Sequence, residues 1–354
     1  MSLDVQIAYS VEQIGREAWD YLAGGRPFSS YRWYRYGETV LADNKPIYIV
    51  LSQRGEPVAR ATFWLRRQEA LPLSSKGIRQ VLNALIRWRP LLVCQAPVAY
   101  APGMILPETA LRDAALETIA RVAQSEARKE RASFLLWTYL EEHDAQCIGW
   151  PEAFVRLRMS EPLTRLVITW PDFEGYLRQL PRSVRKDYRR HCRLAGEQGI
   201  TVNEHLLSGQ SSLSASVLDE AVRLVGNVET HHRSARNPWA RATLEHAGMV
   251  DAVWLKAELG ERLVGCGLLL GDGGHWMMTL LGLDYAVRYA YFQLVYTAIR
   301  CAIERGARVL WGGTGAYELK GRLGFEVRPE HYAVFAASGR GLQVLGRWLA
   351  RWRT

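Results

Sequence analysis

No run in the 354 residues approaches the roughly 20 consecutive apolar side chains that span a bilayer. Met1-Ser2-Leu3-Asp4 opens the chain without a basic stretch leading into an apolar segment. No secretory leader is therefore read, and a cytoplasmic location is expected. Cysteine is sparse. Cys94, Cys147, Cys192, Cys266 and Cys301 are odd in number, scattered, and never in a C-x-x-C pair, which argues against a disulfide framework and a zinc site. Cys266 and Cys301 stand in apolar surroundings and read as core thiols. The P-loop G-x-x-x-x-G-K-[ST], the G-x-S-x-G elbow and the dinucleotide fingerprint G-x-G-x-x-G are all missing. Nucleotide-hydrolysing, hydrolase and dinucleotide-dependent classes thereby lose their usual anchors. There is no low-complexity segment and no Gly/Ser linker.

What is present is the composition of a globular protein, 48% hydrophobic and 23% charged, at a length that suits two domains. A net charge of +9 favours anionic partners: RNA, a phosphorylated carrier or an anionic membrane surface.

The chain repeats itself. Ile47 to Leu65 and Val253 to Leu270 each read as a strand, a polar turn with Gly-Glu (Gly55-Glu56, Gly260-Glu261) and a second strand. Ala110 to Glu130 then has helical spacing in Leu111, Ala115, Ile119 and Val122, and leads into the strand Phe134-Leu135-Leu136-Trp137. Tyr291 to Arg305 has the same spacing in Leu294, Ile299 and Ile303. Gly306 follows where a C-cap glycine belongs, and then comes the strand Val309-Leu310-Trp311. Hairpin, helix and Trp-ending strand thus occur twice. The first copy carries an insertion, Leu71 to Leu106, and the second an extra entry element, Phe173 to Gly199. Trp150-Pro151 and the polar stretch near Ser160 put the boundary around residues 150–165, giving domains 1–160 and 161–354.

Four segments carry candidate chemistry. In Leu180 to Arg193, Ser183 reads as a helix N-cap after Pro181, and Arg182, Arg185, Arg189 and Arg193 share a face beside Lys186 and Arg190. So many cations on one helix repel one another and suit phosphate, which Arg holds bidentately. Arg185, Lys186 and Arg189 are the donor-phosphate candidates, against a plain solvated face. In Gly312 to Phe325, the glycines, Gly313 and Gly315 among them, let backbone approach a ligand, and Lys320 and Arg322 bind phosphate or polarise a carbonyl. Leu281 to Gln293 joins a strand to a helix, with Asp284, Tyr285, Tyr289 and Tyr291 where a substrate enters. The bland alternative is amphipathic packing. His231-His232, with Glu229 nearby, lacks the further ligands of a metal site. The acceptor pocket is placed at His232, Trp276 and Tyr291. At the C-terminus, residues 341–354 alternate Leu342, Leu345, Trp348, Leu349 and Trp352 with Arg347, Arg351 and Arg353. That pattern fits an interfacial helix in peripheral contact with a membrane, or a terminal helix packed on its own domain.

In order along the chain, three stretches resemble the FemAB-like branch of the GNAT superfamily. They are the Y-L-x-x-L-P-x-S-x-R-K-D-Y-R-R segment from Tyr176 to Arg190 with Gly199-Ile200-Thr201-Val202 after it, the helix from Tyr291 to Gly306 with its strand, and Ala316 to Phe325, like the family's Y-x-x-K-x-x-[FL]-G motif. The likeness covers residues 165–336. It implies an α/β (α+β) chain of two tandem GNAT-like domains, each a mixed twisted sheet flanked by helices. It also implies transfer of an acyl or aminoacyl group to a small-molecule or peptide amine. The donor would be a co-substrate, aminoacyl-tRNA or an acyl-CoA or acyl-carrier thioester, with no cofactor held tightly. Lys320 matches the family's active-site lysine, and Tyr317, Asp284 and Tyr285 are candidates for orienting the amine or relaying its proton. The [RQ]-x-x-G-x-[GA] pyrophosphate turn of acetyl-CoA enzymes is missing, since Leu283 to Ala290 holds no glycine. Fem-type enzymes also lack it. The competing reading is a non-catalytic basic module that binds RNA or an anionic membrane.

Overall fold

A computed structural model describes residues 3–69, 76–159, 161–209, 213–328 and 331–337. In chain order its main elements are β1 (Asp4–Ala8), α1 (Arg16–Ala23), α2 (Tyr31–Val40), β2 (Lys45–Gln53), β3 (Glu56–Arg66), α3 (Lys76–Trp88), β4 (Leu91–Cys94), β5 (Met104–Ile105), α4 (Arg112–Lys129), β6 (Phe134–Leu140), α5 (Glu142–Ala145) and β7 (Val155–Arg158). There follow β8 (Thr164–Val167), α6 (Phe173–Gln179), α7 (Arg182–Glu197), β9 (Ile200–Leu207), α8 (Ala215–His231), α9 (Ala240–Glu245), β10 (Asp251–Leu259), β11 (Arg262–Asp272), β12 (His275–Leu283), α10 (Ala290–Glu304), β13 (Val309–Gly313), α11 (Tyr317–Arg322), β14 (Glu326–Val327) and β15 (Tyr332–Ala337).

Two units result: residues up to Pro162 together with β15, and Leu163–Arg328. Both follow one plan. The first sheet runs β1-β2-β3-β4-β6-β15-β7, with β5 beside β3; the second runs β9-β10-β11-β12-β13-β8-β14. In each, the fourth and fifth strands are the parallel pair joined by a long helix, α4 or α10. The duplication read from the repeats is therefore present in the seven-strand order of each sheet, with β5 an addition to the first.

Three details depart from the sequence reading. The Leu71–Leu106 stretch is no mere insertion, because its β4 is a central strand, antiparallel to β3 and parallel to β6. The two Gly-Glu turns are offset by one residue. Arg54 and Gly55 both have positive φ, as a type I′ turn needs, whereas Gly260-Glu261 places a positive-φ glycine first, in the II′ manner. And the domain 161–354 loses its last strand, since β15 pairs with β6 and β7 in the first sheet. The sixth strand of each sheet thus comes from the segment that follows the other unit's seventh.

The interior strands are buried on both faces, which is why they read as near-continuous apolar runs. Trp137 is fully buried, edge-on to Phe63 (5.3 Å) and Trp150 (4.9 Å) in the first core. In the second core α10 buries Leu294, Ile299 and Cys301. Cys266 and Cys301 are indeed core thiols, both pushed up by burial, with the Cys301 thiol donating to Glu204. Among the described residues no helix is long and apolar enough to cross a membrane. The C-terminal segment 341–354 lies outside the described residues.

Candidate active site

In the second unit the parallel pair comes apart. His275, Trp276 and Met277 of β12 pair with Val309, Leu310 and Trp311 of β13, and no further pair forms, although β12 runs on to Leu283 and β13 to Gly313. Two local devices drive the divergence. On β12, Cys266 faces Gly282 while Leu268 faces Thr279, so Leu280 and Leu281 bulge opposite Gly267, with Leu280 at φ +48°. On β13, the register against β8 shifts between Trp311 and Gly313. A Cβ at Gly312 would meet Thr164 Oγ1 at 2.7 Å and the Phe325 ring at 2.9 Å, so only glycine fits that approach. Ligands of open α/β sheets bind at such a point, beyond the carboxyl ends of diverging strands.

Beyond the divergence, Gly313 and Gly315 take positive φ and turn the chain into α11. Lys320, on α11, donates from Nζ to the Thr314 carbonyl at 2.8 Å. It is half-buried, and no carboxylate pairs with it among the described residues. Burial alone brings its ammonium down to about 8. Lys320 thus folds back on the loop that leads out of β13 instead of extending into bulk solvent. Tyr317 begins the same helix.

Several bonds hold α11 in place. The buried Tyr176 donates its hydroxyl to the Leu323 carbonyl at 2.9 Å, and Arg322 pairs with Asp187 of α7. Arg322 is therefore engaged with a carboxylate, where the sequence reading made it a phosphate ligand. Asp187 was not singled out there, although it is the one acidic residue inside an otherwise cationic run. Arg185 is likewise spent: its Nη1 donates to the Arg178 and Leu180 carbonyls, both at 2.9 Å, and closes the C-terminal end of α6. Pro181, not Ser183, is the N-cap of α7. Arg182, Lys186, Arg189, Arg190 and Arg193 remain on the exposed face, and of these Arg193 pairs with Glu197. The inner face of α7 turns His191 onto Phe292 (ring centroids 3.9 Å) and brings His191 Nδ1 to 3.1 Å from the Tyr296 hydroxyl of α10. Sequence reading passed over this contact because it depends on two helices distant in sequence.

At the C-terminal end of β12, Tyr285 stacks on His231 (4.0 Å, 17°), and its hydroxyl lies 3.4 Å from His232 Nε2. The structure thus joins the end of α8 to the β12–α10 loop, a contact between His232 and Tyr285 that the sequence reading, which set His232 beside Trp276 and Tyr291, did not foresee. Burial raises the Tyr285 phenol, and it raises that of the half-buried Tyr291 with help from Tyr285 nearby. Asp284 is committed elsewhere, to Arg262 at 2.8 Å and to the Ala286 N–H at 3.0 Å, so it holds the loop's shape. Trp276 is not in this group. It is buried at the other end of β12, with its ring over Gly271. Among the described residues, no three His, Cys, Asp or Glu side chains gather as metal ligands would.

Matching by family shows the chain aligned from residue 10 to residue 354 with the FemAB-like family, described as peptidoglycan biosynthesis/recognition. The chain belongs to the FemAB-like family. Among solved structures, a tandem GNAT protein from the clavulanic acid biosynthesis pathway superposes with a TM-score of 0.60 at 13% identity, over 96% of this chain and 99% of that one. FemX does so with 0.63 at 12%, over 99% and 100%. The C-terminal domain of a putative lysylphosphatidylglycerol synthetase from Agrobacterium fabrum gives 0.54 at 10%, over 97% of both chains. At these identities the likeness establishes the tandem GNAT-like fold. No curated protein matches the chain in sequence.

Proposed function

We propose that the second unit of this FemAB-like protein transfers an acyl or aminoacyl group from an activated carrier, aminoacyl-tRNA or an acyl thioester, to an amine. One observation carries this reading: Lys320, half-buried and without a carboxylate, stands on the Thr314 carbonyl where β12 and β13 part. The donor carbonyl enters between the strands, where β12 past Met277 has no neighbouring strand on that edge. Backbone N–H groups there and the Lys320 ammonium take the charge that develops on the carbonyl oxygen. The amine nitrogen bonds to the carbonyl carbon, the bond to the carrier oxygen or sulfur breaks, and the carrier leaves as alcohol or thiol. Tyr285 and His232 orient the amine and pass on its proton. The family's description favours an acceptor amine borne on a peptidoglycan precursor.

The test is direct. Purified protein is given labelled aminoacyl-tRNA, acyl-CoA or acyl-carrier thioester with amine acceptors that include peptidoglycan precursor peptides, and label is followed into the amine product. Folded protein that moves label from none of the three donors overturns the proposal.

The exposed cations of α7 favour a second reading, a non-catalytic module for RNA or an anionic membrane surface. Binding of tRNA or anionic vesicles that is lost in an Arg189→Glu, Arg190→Glu double variant, together with failure of every transfer assay, would select it.

A further inference from the structure

Lys320 differs from the other lysines of this chain, which has six. Lys45 pairs with Glu130 at 2.6 Å, Lys129 with Glu126 at 3.3 Å and Lys256 with Glu258 at 3.0 Å. Lys186 is exposed on α7, and the Lys76 side chain lies outside the described residues. Among the described lysine side chains, Lys320 alone is half-buried with a carbonyl for its partner. A carbonyl accepts one N–H and leaves the nitrogen without a counter-ion, so the ammonium breaks no ion pair when it gives up a proton, and the neutral amine can still donate to the carbonyl. The loop beside it is not packed over: a Cβ added at Gly315 or at Gly321 would meet no atom within 4 Å. The backbone of α11 is fixed from both sides, by Tyr176 on Leu323 and by the Phe325 N–H on the Lys320 carbonyl (3.0 Å).

We propose that Lys320 is a site of self-acylation, at which a small activated thioester in the strand opening transfers its acyl group to Nζ and so blocks the site. The lone pair of Nζ attacks the thioester carbonyl carbon and forms the C–N bond. The C–S bond breaks, and the thiolate leaves and picks up, through water, the proton that the nitrogen sheds. Nothing is oxidised or reduced. The amide that results carries no charge and cannot donate as an ammonium. This inference rests on the transferase reading only in bringing a thioester to this loop. With the neutral amine as the reactive form and a titration near pH 8, modification accelerates as pH rises toward 8 and levels off above it.

The whole protein is incubated from pH 6.5 to 9.5 with N-acetyl-S-acetylcysteamine, a thioester without a nucleotide, and acetylated lysines are located and timed by peptide mass spectrometry. The expected result is that Lys320 is modified at least tenfold faster than Lys186 at pH 8. Lys320→Arg keeps a cation but abolishes that fast site, and Lys186→Arg leaves it unchanged. Acetylation spread evenly over the lysines, or a Lys320 rate no faster than that of Lys186, overturns the inference, as does fast modification that survives Lys320→Arg. The transfer assays are independent of this outcome. Label moving to an external amine while Lys320 stays unmodified defeats the self-acylation and leaves the transferase, and a fast Lys320 with no transfer from any donor does the reverse.

Discussion

The two units have the same strand order, and they differ at the place where their parallel strands diverge. In the first, Thr138 bridges the gap, with its hydroxyl 3.4 Å from the Cys94 carbonyl and 3.4 Å from Gln95 Oε1. Gln95 is itself held by Arg66 and by the Ala99 carbonyl. The short helix after the fifth strand, α5, carries Glu142, His143 and Asp144, and Asp144 is bound to Arg112. In the second unit the corresponding places hold Gly312, Gly313 and Gly315, and then α11 with Lys320. One unit fills its divergence with its own side chains, and the other lines it with glycine backbone and one half-buried cation. A duplicated scaffold thus brings the geometry twice, and the side chains at the ends of two strands decide whether it is a plug or a site.

The comparison breaks most readily at Lys320. Replacing it with Met is expected to lower the transfer rate by about 10²–10³-fold, the usual loss for one donor to a developing oxyanion. Gln95→Ala, in the filled divergence of the first unit, is expected to change it by less than about twofold. Turnover measured on both variants checks this, and equal losses would show that the two divergences are not functionally distinct.

A smaller effect tests the packing of the open divergence. Gly312→Ala puts a methyl group against Thr164 and Phe325, and overpacking of this kind costs about 1–3 kcal/mol. Arg185→Ala removes the guanidinium that closes α6, which costs about 1.5–3 kcal/mol for charged hydrogen bonds. Lys186→Ala, one residue on, stays within about 0.5 kcal/mol because the side chain is exposed. Urea unfolding of the three variants ranks them. If Arg185→Ala proves as mild as Lys186→Ala, Arg185 is not the closing group of α6.

How much of this was legible in the sequence follows from the range of each interaction. The hairpins and helices show in local periodicity, so the duplication could be read directly. Lys320 stood out because glycines and a strand precede it. The pairing of β15 in the first sheet was invisible, since it is a short apolar strand whose partner is chosen by tertiary pairing. Arg185 and Arg322 looked like free cations because helical spacing gives the face of a residue and not its partner. Arg185 points back at carbonyls of the preceding helix, and Arg322 reaches a carboxylate 135 residues earlier. Trp276 was misplaced for a related reason: on a strand next to the site, only the register tells which end a residue occupies.

The smallest expected effect lies in the pH dependence of stability. Burial lowers the Lys320 ammonium to about 8 in the folded chain, against an ordinary value near 10.5. Below pH 8 both folded and unfolded chains hold this proton, and the folded chain bears the full penalty of a buried cation. Between about 8 and 10.5 the unfolded chain binds the proton more than the folded one does, so this group adds stability as pH rises through that window. Replacing Lys320 with Met should remove that increment, leaving a flatter urea-midpoint curve between pH 8 and 10. Gln95→Ala should keep the wild-type slope, because a glutamine amide does not titrate. Activity moves in the opposite sense: the ammonium is the form that stabilises the oxyanion, so transfer declines above pH 8 over the range in which the fold gains stability. A variant lacking Lys320 that kept both the slope and the decline would place the titrating group elsewhere in the molecule.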